Sequence, residues 1–179
     1  MSISKTVKPI LTERLYLRPA QDDDLPAFFT IMSDPRAMQY RSTLPHDMID
    51  VTRDWMRPMV DPPGQGFEWV VTLDGAVIGK AGGYRLPEVG FILHPDHWGR
   101  GYMTEAMQAI IPVLFARSDV PALIADVDPF NTGSLKALHK LGFSETHRAT
   151  RTFHIGGIWA DSVYLSRPRP ALARPATAD

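Results

Sequence analysis

The segment HPDHWGRGYMTEA, His94 to Ala106, sets two glycines around an arginine just ahead of an apolar helical run. A strand, a glycine turn and a helix N-terminus together make an anion site. Unpaired amide N–H groups point outward there, and the helix dipole adds partial positive charge. Gly99 and Gly101 present no side chain to a phosphate, and Arg100 and Thr104 add donors. Taken alone, such a turn is equally a steric device for entering a helix. Two phosphate loops are excluded by spacing. A Walker loop needs GK[ST] after its second glycine, where this chain has Gly101-Tyr102-Met103. A dinucleotide fingerprint needs a third glycine, where Thr104 stands, and a parallel βαβ unit, where the preceding strand reads as part of a meander.

The elements that must carry this loop are legible in the rest of the chain. LTERLYLRP alternates as a strand ending at Pro19, DDDLPAFFTIMSDP and HDMIDVTRDWMRPMV read as helices, and PPG at Pro62 to Gly64 is a turn. FEWVVTL and AVIGKAGGY flank Asp74-Gly75, a strong hairpin signal, and EVGFILH extends them into an antiparallel meander. The pair Gly82-Gly83 inside a strand predicts a bulge or a close backbone approach. A helix is expected from about Thr104, kinked at Pro112. ALIADV reads as a buried strand, SLKALHKLGF as a helix stopped by Gly142, and FSETHRATRTF with WADSVYLS as a hairpin around Ile155-Gly156-Gly157. The order predicts an α/β protein with a mixed sheet.

The 179 residues suggest one domain with a full core. A formal net charge of −1 gives no footprint for nucleic acid or a polybasic membrane surface. No cysteine is present, which excludes disulfides and thiolate chemistry, and the histidines lack metal-ligand spacing, so no metal site is expected. The N-terminus has no apolar signal region and AIIPVLFA is too short to span a bilayer, so a cytoplasmic protein is the expectation. Residues 1–9 read as an extension, 10–166 as the domain, and 167–179, rich in Pro and Ala, as a tail.

With NTGSLKALHKLGF downstream, the chain resembles the GNAT superfamily of acyl-CoA-dependent N-acetyltransferases. TERLYLRP and SDPRAM make it most similar to the RimJ/RimL-type branch, which acetylates protein N-termini. The resemblance covers about residues 10 to 166. It implies the GNAT fold, a mostly antiparallel sheet with one splayed parallel pair flanked by helices, and acetyl-CoA as the acyl donor. It assigns the pyrophosphate to the backbone of Trp98, Gly99, Arg100, Gly101, Tyr102, Met103 and Thr104, with Met103 departing from the small residue usual there. The pantetheine arm falls to the backbone of Ile92 and Leu93, and to Asn131 and Ser134. Many relatives place a tyrosine donor where Leu138 stands, so Ser134 is the candidate to protonate the leaving thiolate. Its other reading is a first-turn helix hydroxyl. Glu88 is the candidate base, Glu145 a third and weaker one, and Glu105 a support for the loop. Phe28, Phe29, Met32, Tyr40 and Trp69 either wall the acceptor pocket or fill the core. The acceptor is a primary amine, as a peptide N-terminus or a small molecule. The alternative from another class is a non-catalytic acyl-CoA-binding module. A homodimer is an expectation carried by the family alone.

Overall fold

The computed structural model describes residues 7–171. Eight strands form one sheet in the order β1-β2-β3-β4-β5-β6-β8-β7. They are β1 (Ile10–Leu11), β2 (Tyr16–Arg18), β3 (Glu68–Leu73), β4 (Ala76–Arg85), β5 (Glu88–Leu93), β6 (Ala122–Val127), β7 (Ser144–Ile155) and β8 (Ile158–Pro168). The helices are α1 (Leu25–Ser33), α2 (Pro35–Met38), α3 (Ile49–Val60), α4 (Tyr102–Ala116) and α5 (Thr132–Lys140). Only β5 and β6 run parallel; every other neighbouring pair is antiparallel.

The hairpin signals hold because they satisfy backbone geometry. Asp74 and Gly75 adopt φ of 49° and 82°, the left-handed pair that a tight two-residue turn needs. Gly82 has φ 145°, and a Cβ there would collide with the carbonyl oxygen of Phe67. That same oxygen accepts from the Gly83 N–H at 2.7 Å, so the glycine pair marks a close backbone approach beside a register shift.

Alternation sorts the strands onto two cores. Leu17, Trp69, Val71, Val89, Leu93, Leu123, Ala125, Val127, Val163 and Leu165 face α4 and α5, where Met103, Ala106, Met107, Ile110, Ile111 and Leu114 form a stripe at helical spacing. On the other face Val70 and Ile92 pack against Phe28, Ile31, Met32, Met56 and Met59 of α1 and α3. This second core ends at β5, so no buried residue of β6, β7 or β8 belongs to it.

Three boundaries differ from the sequence reading. LTERLYLRP is two short strands, because Thr12 turns the chain by exchanging hydrogen bonds with Leu15. Helix α4 begins at Tyr102, since Gly101, left-handed at φ 81°, already offers its carbonyl to the Glu105 N–H at 3.0 Å. It continues through Pro112 to Ala116. The stretch expected to be a tail is ordered at its start. β8 runs to Pro168, and the Arg169 guanidinium donates to the carbonyl of Phe115 in the last turn of α4 and to those of Ser118 and Val120 beyond it. Residues 172–179 of that stretch lie outside the described residues.

Candidate active site

The glycine loop is held between two anchors. At its start, the Trp98 indole N–H donates to the Leu93 carbonyl at 2.9 Å, tying the loop to the end of β5. Gly99 and Gly101 both have left-handed φ, 74° and 81°. A Cβ at Gly99 would meet nothing within 4 Å, and one at Gly101 only Arg14 Nη2 at 3.5 Å. Both positions therefore need glycine for backbone conformation and not for room within the protein. The amides of Tyr102, Met103 and Thr104 precede the first intrahelical bond and have no acceptor in the helix. Met103, the residue that departs from the family pattern, turns its side chain into the core and so leaves the approach to its N–H clear. Arg100 is exposed at the loop's tip. His97, just before the loop, has a buried Nδ1 with no hydrogen-bond partner among the described residues, and burial pushes its pKa below the usual imidazole value. A row of free amides beside an exposed arginine fits a polyphosphate, whereas the His97 nitrogen is buried away from it.

The second anchor is Arg14, which sequence reading missed. Its side chain donates to the Arg100 carbonyl at 3.0 Å and to Glu105 at 2.7 Å, and its guanidinium lies 4.6 Å from the Tyr102 ring centre. Glu105 also accepts from the Arg14 N–H and the Thr12 hydroxyl. Burial alone would raise the Glu105 pKa, but the bonds from Thr12 and Arg14 outweigh it and hold the carboxyl below its ordinary value. Glu105 is thus the loop's support, as expected for it.

The parallel pair opens immediately beyond the loop-facing end of its one bridge. Glu88 is in register with Ile124, whose N–H donates to the Pro87 carbonyl at 2.9 Å, and no further β5–β6 pairing follows. The phase of β5 decides which backbone groups face the opening. The His94 N–H donates to Ile78 in β4, so residues 94, 92 and 90 turn their amides and carbonyls toward β4. Residues 87, 89, 91 and 93 turn theirs toward β6. This corrects the expectation for Ile92, whose backbone is engaged with Lys80 across the β4 ladder. Leu93 does face the opening, and its companion there is Phe91. The sequence shows a strand at this point but not which alternate set is bonded to β4.

Across the opening, Asn131 caps α5 by accepting from the Ser134 N–H at 3.1 Å. The Ser134 hydroxyl makes no hydrogen bond among the described residues, so the first-turn role belongs to its amide and the hydroxyl is left over. Leu138, in the tyrosine position, is buried in the core. Glu88 lies on the sheet face away from α4, at the closed end of the pair. Asp126, also unnoticed in the sequence, lies on that face two residues along β6 from Ile124, where the strands part. Glu145 is exposed and paired with Arg148 at 2.7 Å, which leaves it a surface ion pair on β7. Phe28, Met32 and Trp69 are fully buried core residues, Trp69 on the α4 face, so they do not wall a pocket; Phe29 and Tyr40 are half-buried.

A splayed parallel pair beside a glycine loop at a helix N-terminus defines an acyl-CoA-dependent acyltransferase. The acetyltransferase (GNAT) domain model matches residues 14–144, most of the chain. The chain is 30% identical to the uncharacterized N-acetyltransferase p20 of Bacillus licheniformis, over 78% of this chain and 84% of that protein. Two solved structures share its fold. One, from Salmonella typhimurium, is an acetyl transferase that modifies the N-terminal serine of ribosomal protein L7/L12 (TM-score 0.79, 16% identity, 91% of this chain and 100% of that one). The other is a RimL ribosomal L7/L12 alpha-N-protein acetyltransferase in complex with coenzyme A (TM-score 0.77, 17% identity, 90% and 98%). This chain belongs to the GNAT acetyltransferase family, whose fold binds acetyl-CoA and delivers the acetyl group to an amine nitrogen.

Proposed function

We propose that this N-acetyltransferase acts on a primary amine at the end of a polypeptide. In this reading the amides of Gly99 to Thr104 hold the pyrophosphate, with Arg100 as an outer charge. The outward N–H and carbonyl of Phe91 and the N–H of Leu93 pair with the pantetheine arm, the Leu93 carbonyl being held by Trp98, and Asn131 and Ser134 close the far side. The Phe91 and Leu93 amides, turned to the opening, would also serve as fixed donors to the thioester oxygen, where charge develops during attack. The Ser134 hydroxyl is the candidate donor to the departing thiolate. A thiol of pKa about 8.5 also leaves unaided, so this role is worth less than the oxyanion contact.

The observation that carries the reading is the opening between β5 and β6, bordered by the outward backbone groups of Phe91 and the Leu93 N–H, directly beside the left-handed glycine loop. The peptide acceptor is supported by the face away from α4, where the second core stops at β5 and leaves room for an extended chain. The fold shared with two enzymes of protein N-termini supports it as well.

The test has two parts. Acetyl-CoA should raise the melting temperature well above any effect of ATP or NAD at equal concentration, since a hundredfold excess over Kd stabilises by about 2.7 kcal/mol. Thiol release should then be faster with short peptides bearing a free α-amine than with their N-blocked forms or with small amines. Equal stabilisation by all three ligands would leave only a generic anion site. Faster turnover of small amines would move the acceptor out of the peptide class.

A further inference from the structure

The face opposite α4 carries one continuous row of residues across six strands. Glu68 of β3 pairs with Gly82 of β4, which pairs with Gly90 of β5. Beyond the opening, Asp126 of β6 pairs with Tyr164 of β8, which pairs with His147 of β7. Gly90 and Asp126 each lie two residues beyond the Glu88–Ile124 bridge, so they flank the opening from its two sides. A Cβ at Gly90 would meet nothing within 4 Å. A bare backbone thus borders the opening on one side and a carboxylate on the other. The Asp126 carboxylate makes no hydrogen bond or ion pair among the described residues. Its cross-strand neighbour Tyr164 stacks on His147, ring centres 4.4 Å apart and 11° from parallel, and so walls that side.

Glu88 shares the face but not the place. It sits where β5 and β6 are still joined through Ile124 and Pro87, one bridge short of the opening. An amine reaching a thioester held against Phe91 and Leu93 passes Gly90 and Asp126, and leaves Glu88 behind it.

We propose that Asp126, rather than Glu88, takes the proton of the acceptor amine. The proposal rests on the acetyltransferase reading above. The neutral amine nitrogen attacks the thioester carbon, the C–N bond forms and the C–S bond breaks. Coenzyme A leaves as the thiolate, and the surplus proton on nitrogen passes to the Asp126 carboxylate. The titratable groups that face Asp126 are Glu88 on β5, Tyr164 on β8 and His147 on β7; the row on β4 contributes glycine, and Glu68 beyond it is held by Lys80.

The experiment compares wild type with Asp126→Asn, Asp126→Glu and Glu88→Gln. Thiol release from acetyl-CoA is followed with the peptide panel and also without acceptor, where water is the nucleophile and no acceptor need be known. Asp126→Asn should lose about a hundredfold or more in both assays, recover with rising pH in the peptide assay, and keep the wild-type melting shift with acetyl-CoA. Asp126→Glu should regain part of the loss, and Glu88→Gln should stay near wild type with an unchanged pH profile. Near-wild-type rates in Asp126→Asn, or its losses appearing in Glu88→Gln instead, would overturn the proposal. So would a wild type that binds acetyl-CoA and releases no thiol in either assay. A wild type whose melting is not moved by acetyl-CoA would instead overturn the acetyltransferase reading itself.

Discussion

The Arg14 side chain and the Glu105 carboxylate meet at 2.7 Å although 91 positions separate them in the chain. Arg14 uses its remaining donors on the Arg100 carbonyl, so one side chain from the β1–β2 turn fixes both the tip of the glycine loop and the first turn of α4. The relationship makes the turn between the N-terminal strands part of the proposed ligand cradle.

Replacing Arg14 by alanine should therefore weaken acetyl-CoA binding without removing any group assigned to the ligand. Arg14 is partly exposed, so the cost to stability should be small, about 1 kcal/mol, after solvent screening. Calorimetric titration should show a several-fold rise in Kd, and Glu105→Gln should reproduce much of it. A Kd unchanged in both variants would mean that the loop holds its shape alone.

The loop glycines give a second outcome. Gly101 has φ 81° with space for a methyl group, so Gly101→Ala should lose about 1–2 kcal/mol of stability through backbone strain alone. Gly101→Val should lose more, being β-branched, and both should bind acetyl-CoA worse than wild type once melting shows them folded. Arg100→Ala leaves every amide in place and should weaken binding modestly, mostly at low salt. The reverse ranking would make the site a surface arginine contact.

How far the sequence could go is clear from particular residues. Asp74-Gly75, Gly82-Gly83 and Gly142 each announce a backbone conformation that only certain residues tolerate, and each appears where expected. The loop was equally legible, because its glycines are a local requirement. What the sequence hid was relational. Whether residue 92 or 91 faces the opening depends on which alternate set bonds β4, and a strand pattern is silent on that. Asp126 sits in ALIADV, whose apolar run reads as buried on both faces until the α1–α3 layer is seen to stop at β5. Arg14 finds its partners only through the fold. The aromatics of the N-terminal helices carry no mark that separates wall from core, and burial decides it.

A third outcome concerns acid stability. His46 is buried with Nδ1 2.8 Å from the Thr52 hydroxyl, and burial first, then the charge of Arg41, holds its pKa below the usual value near 6.5, against an opposing pull from Asp47. The folded protein then binds a proton there less readily than the unfolded chain. Its contribution is present above the unfolded pKa and is lost as the pH falls toward the folded one. His97 acts in the same direction. Melting temperature should fall between pH 7 and pH 5, before the Glu105 carboxyl begins to matter below about pH 4.3. In His46→Gln the slope over that window should flatten. A slope unchanged in this variant would assign it to other groups.

The last outcome lies on the sheet face away from α4, at Lys80 and Glu68. The Lys80 ammonium and the Glu68 carboxylate form a close ion pair, both largely buried, with the Trp55 ring 5.3 Å from the lysine nitrogen. Burial drives the Lys80 pKa down, and the neighbouring Glu68 only partly offsets it. Such a pair gains little over well-packed apolar groups, because desolvation of both charges opposes their attraction. Removing one partner is another matter, since the survivor keeps its desolvation cost and loses its counter-charge. Lys80→Met should thus cost about 3–5 kcal/mol, while Lys80→Met with Glu68→Leu should recover most of that loss. Denaturant unfolding of the four proteins in the cycle gives the coupling directly. Because Glu68 begins the row that runs under Gly82 and Gly90, the double variant also removes the ion pair at that end of the row. If it folds as well as wild type yet turns over peptides more slowly at unchanged acetyl-CoA affinity, the pair serves the acceptor; unchanged turnover confines it to packing.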